Sequence, residues 1–181
     1  MPKVVKIAIT GPESTGKSML SEQLADRYRT VWVQEFARYY LNKIERPYEY
    51  DDILEIAKGQ KQLEEALKTL ANKVLFSDTE LLVTKIWCEV KYQKCHPWII
   101  ENFENQDYDL YLLMNTDLPW SFDPLREHPD KREWLFNLYK NELEKHGMNF
   151  RVVSGVGDER LKNAFSFVDE LLISRFNKLP I

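Results

Sequence analysis

Cysteine is scarce in this chain. Only Cys88 and Cys95 occur, they do not form a C-x-x-C pair, and no histidine stands near them at metal-ligand spacing. That argues against a disulfide scaffold or a structural zinc site and for reduced thiols in a cytoplasmic protein. An excess of positive charge is missing as well. The formal net charge is −4, so no basic face points to nucleic acid as a partner. No segment approaches the ~20 apolar residues of a membrane span. Met1-Pro2-Lys3 leads straight into an apolar stretch without the pattern of a signal peptide. His96, His128 and His146 share no ligand spacing and are expected to have no chemical role. Internal repeats, low-complexity tracts and linkers are absent too, so residues 1–181 read as a single domain, long enough to bury an ordinary core.

What is present is a phosphate-loop signature. Gly11-Pro12-Glu13-Ser14-Thr15-Gly16-Lys17-Ser18 fits G-x-x-x-x-G-K-[ST] at every fixed position. The apolar segment Val4–Ile9 leads into it and an amphipathic stretch follows from Lys17. A strand, a glycine loop and a helix in that order make an anion cradle, because main-chain N–H groups converge and the helix N-terminus adds partial positive charge. Gly11 through Ser18, with Met19 just inside the helix, are therefore expected to bind a nucleoside triphosphate. Lys17 is expected to reach the β- and γ-phosphates and the Ser18 hydroxyl to ligate Mg²⁺. Glu13 is assigned no role of its own within the loop.

Periodicity supplies the frame. Strands are predicted at Val4–Thr10, Thr30–Gln34, Lys73–Ser77 (closing on Asp78), Asp109–Met114 and Phe150–Val153. Helices are predicted at Lys17–Arg29, Glu35–Leu41, from a cap at Asp51 or Asp52 to Leu70, Leu81–Tyr92, a short run after His96-Pro97, Lys131–His146 and Asp158–Phe176. Gly147 is the expected residue just past the end of the Lys131–His146 helix. Short apolar strands alternating with helices predict an α/β fold, a five-stranded parallel sheet covered on both faces as a three-layer sandwich.

In such a sheet, functional groups gather at the C-terminal edges of the strands. The second strand delivers Glu35, with Arg38 three residues on, a spacing that shares one helix face. The carboxylate suits a substrate hydroxyl or ribose diol and the arginine a phosphoryl group, while a plain surface ion pair is the alternative. The third strand delivers Asp78 after an apolar run, the pattern of a carboxylate that holds Mg²⁺ or acts as base; capping the next helix is the alternative. Asn115–Arg132, polar and irregular with three prolines, is expected to be a lid at about 115–132 rather than a solvated loop. Arg126 comes first and Arg132 second as its phosphate ligands. Tyr39, Trp87, Trp98 and Trp120 are candidate stacking residues, and residues 154–158 a candidate purine contact.

Taken together, the phosphate loop, Glu35-Phe36-Ala37-Arg38, Phe76-Ser77-Asp78-Thr79-Glu80 and Cys95-His96-Pro97-Trp98 resemble, in order and spacing, the NadR-type ribosylnicotinamide kinase domain. The resemblance runs from Lys3 to about Leu172. It implies a P-loop kinase fold, ATP as donor with GTP possible, Mg²⁺, and transfer of the γ-phosphoryl group to the ribose 5′-hydroxyl of nicotinamide riboside. It also implies that Glu35 and Asp78 are the acidic pair between the 5′-hydroxyl, the ribose and Mg²⁺, and that Arg38, Arg126 and Arg132 act on phosphates. Together with the residue patterns above, the catalytic candidates are Lys17, Asp78, Glu35, Arg126 and Arg132, the acceptor-binding ones Glu35, Arg38, Tyr39, Trp87 and Trp120, and the magnesium ligands Ser18 and Asp78. Either carboxylate is open as the base, with Asp78 favoured. The adenylyltransferase and repressor domains of larger family members find no counterpart in the sequence, so those activities are not expected. A kinase for another nucleoside or small alcohol, and a regulatory ATPase that hydrolyses ATP without an acceptor, are the competing readings.

Overall fold

The computed structural model describes residues 4–177; Met1-Pro2-Lys3, and with it the reading of the N-terminus, lies outside them. Three apolar runs form the heart of a parallel sheet. β1 (Val5–Thr10), β3 (Val74–Asp78) and β4 (Leu110–Met114) are buried at every position, as strands covered on both faces must be. Edge strands β2 (Trp32–Val33) and β5 (Phe150–Val153) complete the order β2-β3-β1-β4-β5. The second strand is two residues long where five were expected. Thr30 turns its hydroxyl onto the Val74 carbonyl at 2.7 Å and accepts from the Asn72 N–H at 2.9 Å, so side-chain bonds replace the ladder there.

Alternation along the strands divides the core into two layers. Val5, Ile7 and Ile9 face α1 (Lys17–Tyr28) and α7 (Gly157–Phe176), meeting Leu24, Tyr28, Val168 and Leu172. Ala8, Tyr111 and Leu113 face the other way, against α3 (Tyr50–Lys68), α4 (Leu81–Tyr92), α5 (Pro97–Glu104) and α6 (Arg132–Lys145). The short α2 (Phe36–Lys43) follows β2. Crossover helices on both faces give three layers. Among the described residues no helix is long and apolar enough to cross a membrane.

α2 runs two residues past the predicted Leu41, to Lys43, and both ends of α3 move. The cap of α3 is Glu49, not Asp51 or Asp52. Asp52 sits at the third helical position and its carboxylate reaches back to the Glu49 N–H at 2.7 Å, a reciprocal capping box. The same carboxylate takes a fork from Arg46 and the Tyr40 hydroxyl, which hold it well below the usual carboxylate range despite its burial. α3 also stops at Lys68 rather than Leu70. Gly147, at φ 61°, lies just past the C-cap of α6, a left-handed position that suits glycine.

Candidate active site

The loop after β1 is built from backbone. Gly11 has φ 127°, and a Cβ there would meet the Met114 carbonyl at 3.0 Å, so the close approach of β4 requires glycine. Gly16 has φ 79° and is the N-cap of α1 with no side-chain cap bond. The first N–H groups of α1 are therefore open to an anion. Thr15 closes the loop on the Pro12 carbonyl at 2.8 Å. Lys17 donates to the Gly11 and Pro12 carbonyls at 3.0 and 2.8 Å, which holds its ammonium over the cradle.

Two carboxylates stand beside the cradle. Asp78 ends β3 in register with Ile9 and is 1% exposed. Burial above all, then the charge of Glu35, pushes its carboxyl up to about 6, against the opposing influence of Lys17, Ser18 and Thr79. One of its oxygens, Oδ2, is buried without a hydrogen-bond partner. A buried orphaned carboxylate oxygen, with the Ser18 hydroxyl beside its carboxyl group, fits a hard cation. The capping alternative for Asp78 is answered by Glu80. Its side chain accepts from Leu82 N–H at 2.6 Å and so caps α4, while also accepting from Thr10 and Gln106 at 2.9 Å. Burial raises Glu80 to about 7. Between the two acids Thr79 adopts φ 72°, a conformation that a β-branched residue rarely takes. Its N–H is held by the Ile9 carbonyl at 3.0 Å.

Glu35 occupies the N-cap position of α2, yet its side chain makes no cap bond. It lines the cavity described below. Arg38 lies 4.0 Å from it and pairs more closely, at 2.9 Å, with Asp123 of the β4–α6 segment.

That segment is docked on the phosphate loop. Arg132 donates to the Ser14 carbonyl at 3.2 Å and to the Leu118 carbonyl at 2.8 Å. Arg126 reaches the Ser14 hydroxyl at 3.5 Å, and the Ser121 N–H donates to the same oxygen at 2.9 Å. Glu13 clamps the other side by accepting the main-chain N–H groups of Glu127 and His128 at 3.1 Å. The Trp120 ring has both guanidinium groups near it, that of Arg126 at 6.0 Å and that of Arg132 at 5.8 Å from its centroid.

Loop, α2, α4, α6 and the docked segment enclose a cavity of about 360 Å³. Gly11–Met19 form one wall, and Glu35, Arg38, Trp87, Arg126 and Tyr139 are among the rest of the lining. Trp87 is held by its indole N–H on the Tyr48 hydroxyl at 2.9 Å. Tyr39 and Trp120 are not brought to this cavity. Tyr39 is 60% exposed and packs on Phe36, because α2 turns it outward. Trp98 packs against the core under α3–α6. Residues 154–158 lie outside the lining too, tied down by Asp117 on the Gly155 N–H at 2.6 Å and by Asn163 on the Ser154 carbonyl at 3.0 Å.

Three contributors escaped the sequence reading. Tyr139 sits one turn after Leu135 and reads as core. Glu13, expected only as part of the phosphate-binding loop, also holds the β4–α6 segment through two main-chain N–H groups. Arg160 is 5% exposed and donates to the carbonyls of Thr15 and Asn115 at 2.9 and 3.0 Å, tying α7 to the phosphate loop. Its signal was available: Arg160, Ala164, Val168 and Leu172 form one buried stripe at helical spacing, and an arginine on such a stripe calls for partners.

A family model described as an AAA domain matches residues 6–160. The chain is homologous to the trifunctional NAD biosynthesis/regulator protein NadR of Escherichia coli (strain K12), being 32% identical over 174 residues, 92% of this chain and 42% of that protein. It thus spans about two fifths of the length of the curated relatives it matches. Among solved structures, a NadR protein in complex with NR has a TM-score of 0.81 at 20% identity, over 93% of this chain and 52% of the other. Deoxyadenosine kinase from M. mycoides with products bound has a TM-score of 0.64 at 18% identity, over 92% and 100%. These likenesses show a shared fold, that of P-loop kinases.

Proposed function

The chain belongs to the AAA domain family, and from that premise we propose that it is an ATP-dependent kinase for nicotinamide riboside, yielding nicotinamide mononucleotide for NAD biosynthesis. One observation carries the reading: a single cavity has the phosphate loop as one wall and Glu35, Trp87 and Tyr139 among the others. A triphosphate tail and a nucleoside then fit in one enclosure, so a hydroxyl and a γ-phosphorus meet without water between them. Two relatives support the same acceptor: a trifunctional NAD biosynthesis/regulator protein and a NadR protein whose structure is in complex with NR.

In this reading the donor is held by Gly11–Met19, with Lys17 moving from the loop carbonyls to the transferring phosphoryl group. Arg126 and Arg132, already on Ser14, neutralise charge as it develops, and 115–132 acts as the lid. Ser18 and Asp78 would hold Mg²⁺, which neutralises phosphate charge when bound. Asp78 or Glu35 takes the proton of the acceptor hydroxyl: Asp78 ends β3 beside the phosphate loop, and Glu35 lines the cavity. The acceptor ring lies against Trp87 and Tyr139, with Glu13, Glu35 and Glu127 also in the lining. The lining also holds Lys17, Arg38 and Arg126, so its charge is mixed, and it is the aromatic face of Trp87 that favours a cationic ring such as the pyridinium of the riboside.

Single-turnover phosphorylation tests this with Mg-ATP and four acceptor conditions: nicotinamide riboside, its neutral dihydro form, deoxyadenosine and none. Product is expected fastest with the cationic riboside and weaker with the neutral form. Product from deoxyadenosine alone overturns the acceptor and keeps the kinase. Equal ATP consumption with and without acceptor replaces the kinase by a regulatory ATPase.

A further inference from the structure

One buried amide links the two acids of the site through their main chains. Gln60 lies in the middle of α3 and is 4% exposed. Its carbonyl oxygen accepts the Phe36 N–H at 2.7 Å, the residue directly after Glu35. Its amide nitrogen donates to the carbonyl of Asp78 at 3.3 Å and to that of Thr79 at 3.1 Å. Only one orientation of the amide satisfies these partners, since one is a donor and two are acceptors. The polar capacity of the side chain is thereby occupied by backbone next to Glu35 and by backbone at and after Asp78.

Those main-chain groups need such a partner. Phe36 is the first residue of α2, so its N–H has no intrahelical acceptor. The side chain at the N-cap, Glu35, would ordinarily serve the first turn of its helix and here makes no cap bond. Gln60 satisfies Phe36 from outside the helix and so fixes the main chain directly after Glu35, whose carboxylate lines the cavity. At the other end the Asp78 and Thr79 carbonyls flank the left-handed turn at Thr79, where backbone geometry needs support. The neighbour of Gln60 completes the joint. A Cβ on Gly59 would stand 2.1 Å from the Phe36 ring, so this glycine in mid-helix, a costly residue there, is explained by the seat it leaves for Phe36.

We propose that Gln60 is the positioning residue of the acid pair, setting where Glu35 stands relative to Asp78, with Gly59 as the seat that lets α2 dock. The proposal rests on the kinase reading for the roles of the two acids. It adds a residue remote from the phosphate loop that acts only through others.

The test is steady-state kinetics of Gln60→Met, close in length and without polar atoms, with thermal melting and a double-mutant cycle against Glu35→Gln. A kcat loss of roughly 10- to 100-fold is expected, the scale of a small misplacement of reacting groups, with KM for Mg-ATP within about twofold because Gln60 does not touch the phosphate loop. In the Glu35→Gln background the same change is expected to cost no more than about threefold, since groups acting as one unit are not additive. A lower melting temperature with unchanged kcat overturns the proposal, and so does a full loss repeated in the Glu35→Gln background. Full activity of Glu35→Gln alone sinks the role of Glu35 and this proposal with it, whereas the preceding two outcomes leave the kinase reading intact. Should Gln60→Met not fold, Gly59→Ala decides: a comparable kcat loss supports the joint and wild-type turnover overturns it.

Discussion

The two sides of the central cavity are made of different material. The phosphate side is one contiguous stretch of main chain, Gly11–Ser18, whose shape rests on Gly11 and Gly16 at positive φ and on the open first turn of α1. The opposite side is assembled from single side chains on separate elements, among them Glu35 at the start of α2, Trp87 on α4 and Tyr139 on α6. Main-chain N–H groups carry no side-chain identity, so on the proposed function the first side would hold any polyphosphate and says little about what receives it. Side chains differ, so on the same reading the second side would carry the choice of acceptor.

The sharpest way to break this contrast is Lys17→Ala. On the proposed chemistry kcat falls by on the order of 10³-fold with every acceptor alike; a loss that depends on the acceptor, read in parallel assays, would erase the distinction between the two sides. Next comes Asp78→Asn, with a kcat loss on the order of 10²-fold and an opposite effect on stability. The Asp78 carboxyl is raised from 3.8 to about 6, so the native state binds its proton more tightly than the unfolded chain. Stability from that proton is full below the unfolded value and is lost as pH rises through about 6; Glu80, raised to about 7, contributes with the same sign. Removing the charge should therefore raise the melting temperature of the nucleotide-free protein at pH 7.5 by roughly 2–6 °C, and bring its melting temperature at pH 5 closer to that at pH 7.5. A lower melting temperature at pH 7.5 would contradict the burial argument.

Smaller effects belong to the other side. Trp87→Ala should raise KM for the acceptor by roughly tenfold, the scale of one lost stacking contact, while KM for Mg-ATP stays put; a rise in both constants would mean that the sides are not separable. Smallest is Glu13→Gln, which weakens the clamp on Glu127 and His128. Acceptor-independent ATP hydrolysis should then increase a few-fold as the lid loosens and water enters, and no change would place the closing force on Arg126 and Arg132.

Legibility follows the same division. The individual strands, their parallel class and the cradle were readable because each is written locally: burial on both faces writes apolar runs, and phosphate binding writes glycine at fixed spacing; the order β2-β3-β1-β4-β5 was not, since it depends on which distant strands pair. Glu35, Asp78 and Trp87 were also within reach, by their position after strands or their aromatic character. Tyr39 and Trp120 were not separable from Trp87 in sequence, since the direction a ring faces depends on how α2 and the β4–α6 segment pack. Tyr139 was hidden because a tyrosine on an apolar helix stripe looks the same whether it closes a core or lines a cavity.

From sequence alone came the parallel sheet, the phosphate loop and the acids at its edge, because periodicity and steric demand act over a few residues. Tertiary structure alone decided which aromatic rings face the cavity, that Glu80 rather than Asp78 caps α4, that Glu13 and Arg160 tie the loop to its neighbours, and that Gln60 joins the backbones beside both acids. The Glu13, Arg160 and Gln60 contacts connect residues 18 to 145 positions apart, and at such separations only packing determines what meets.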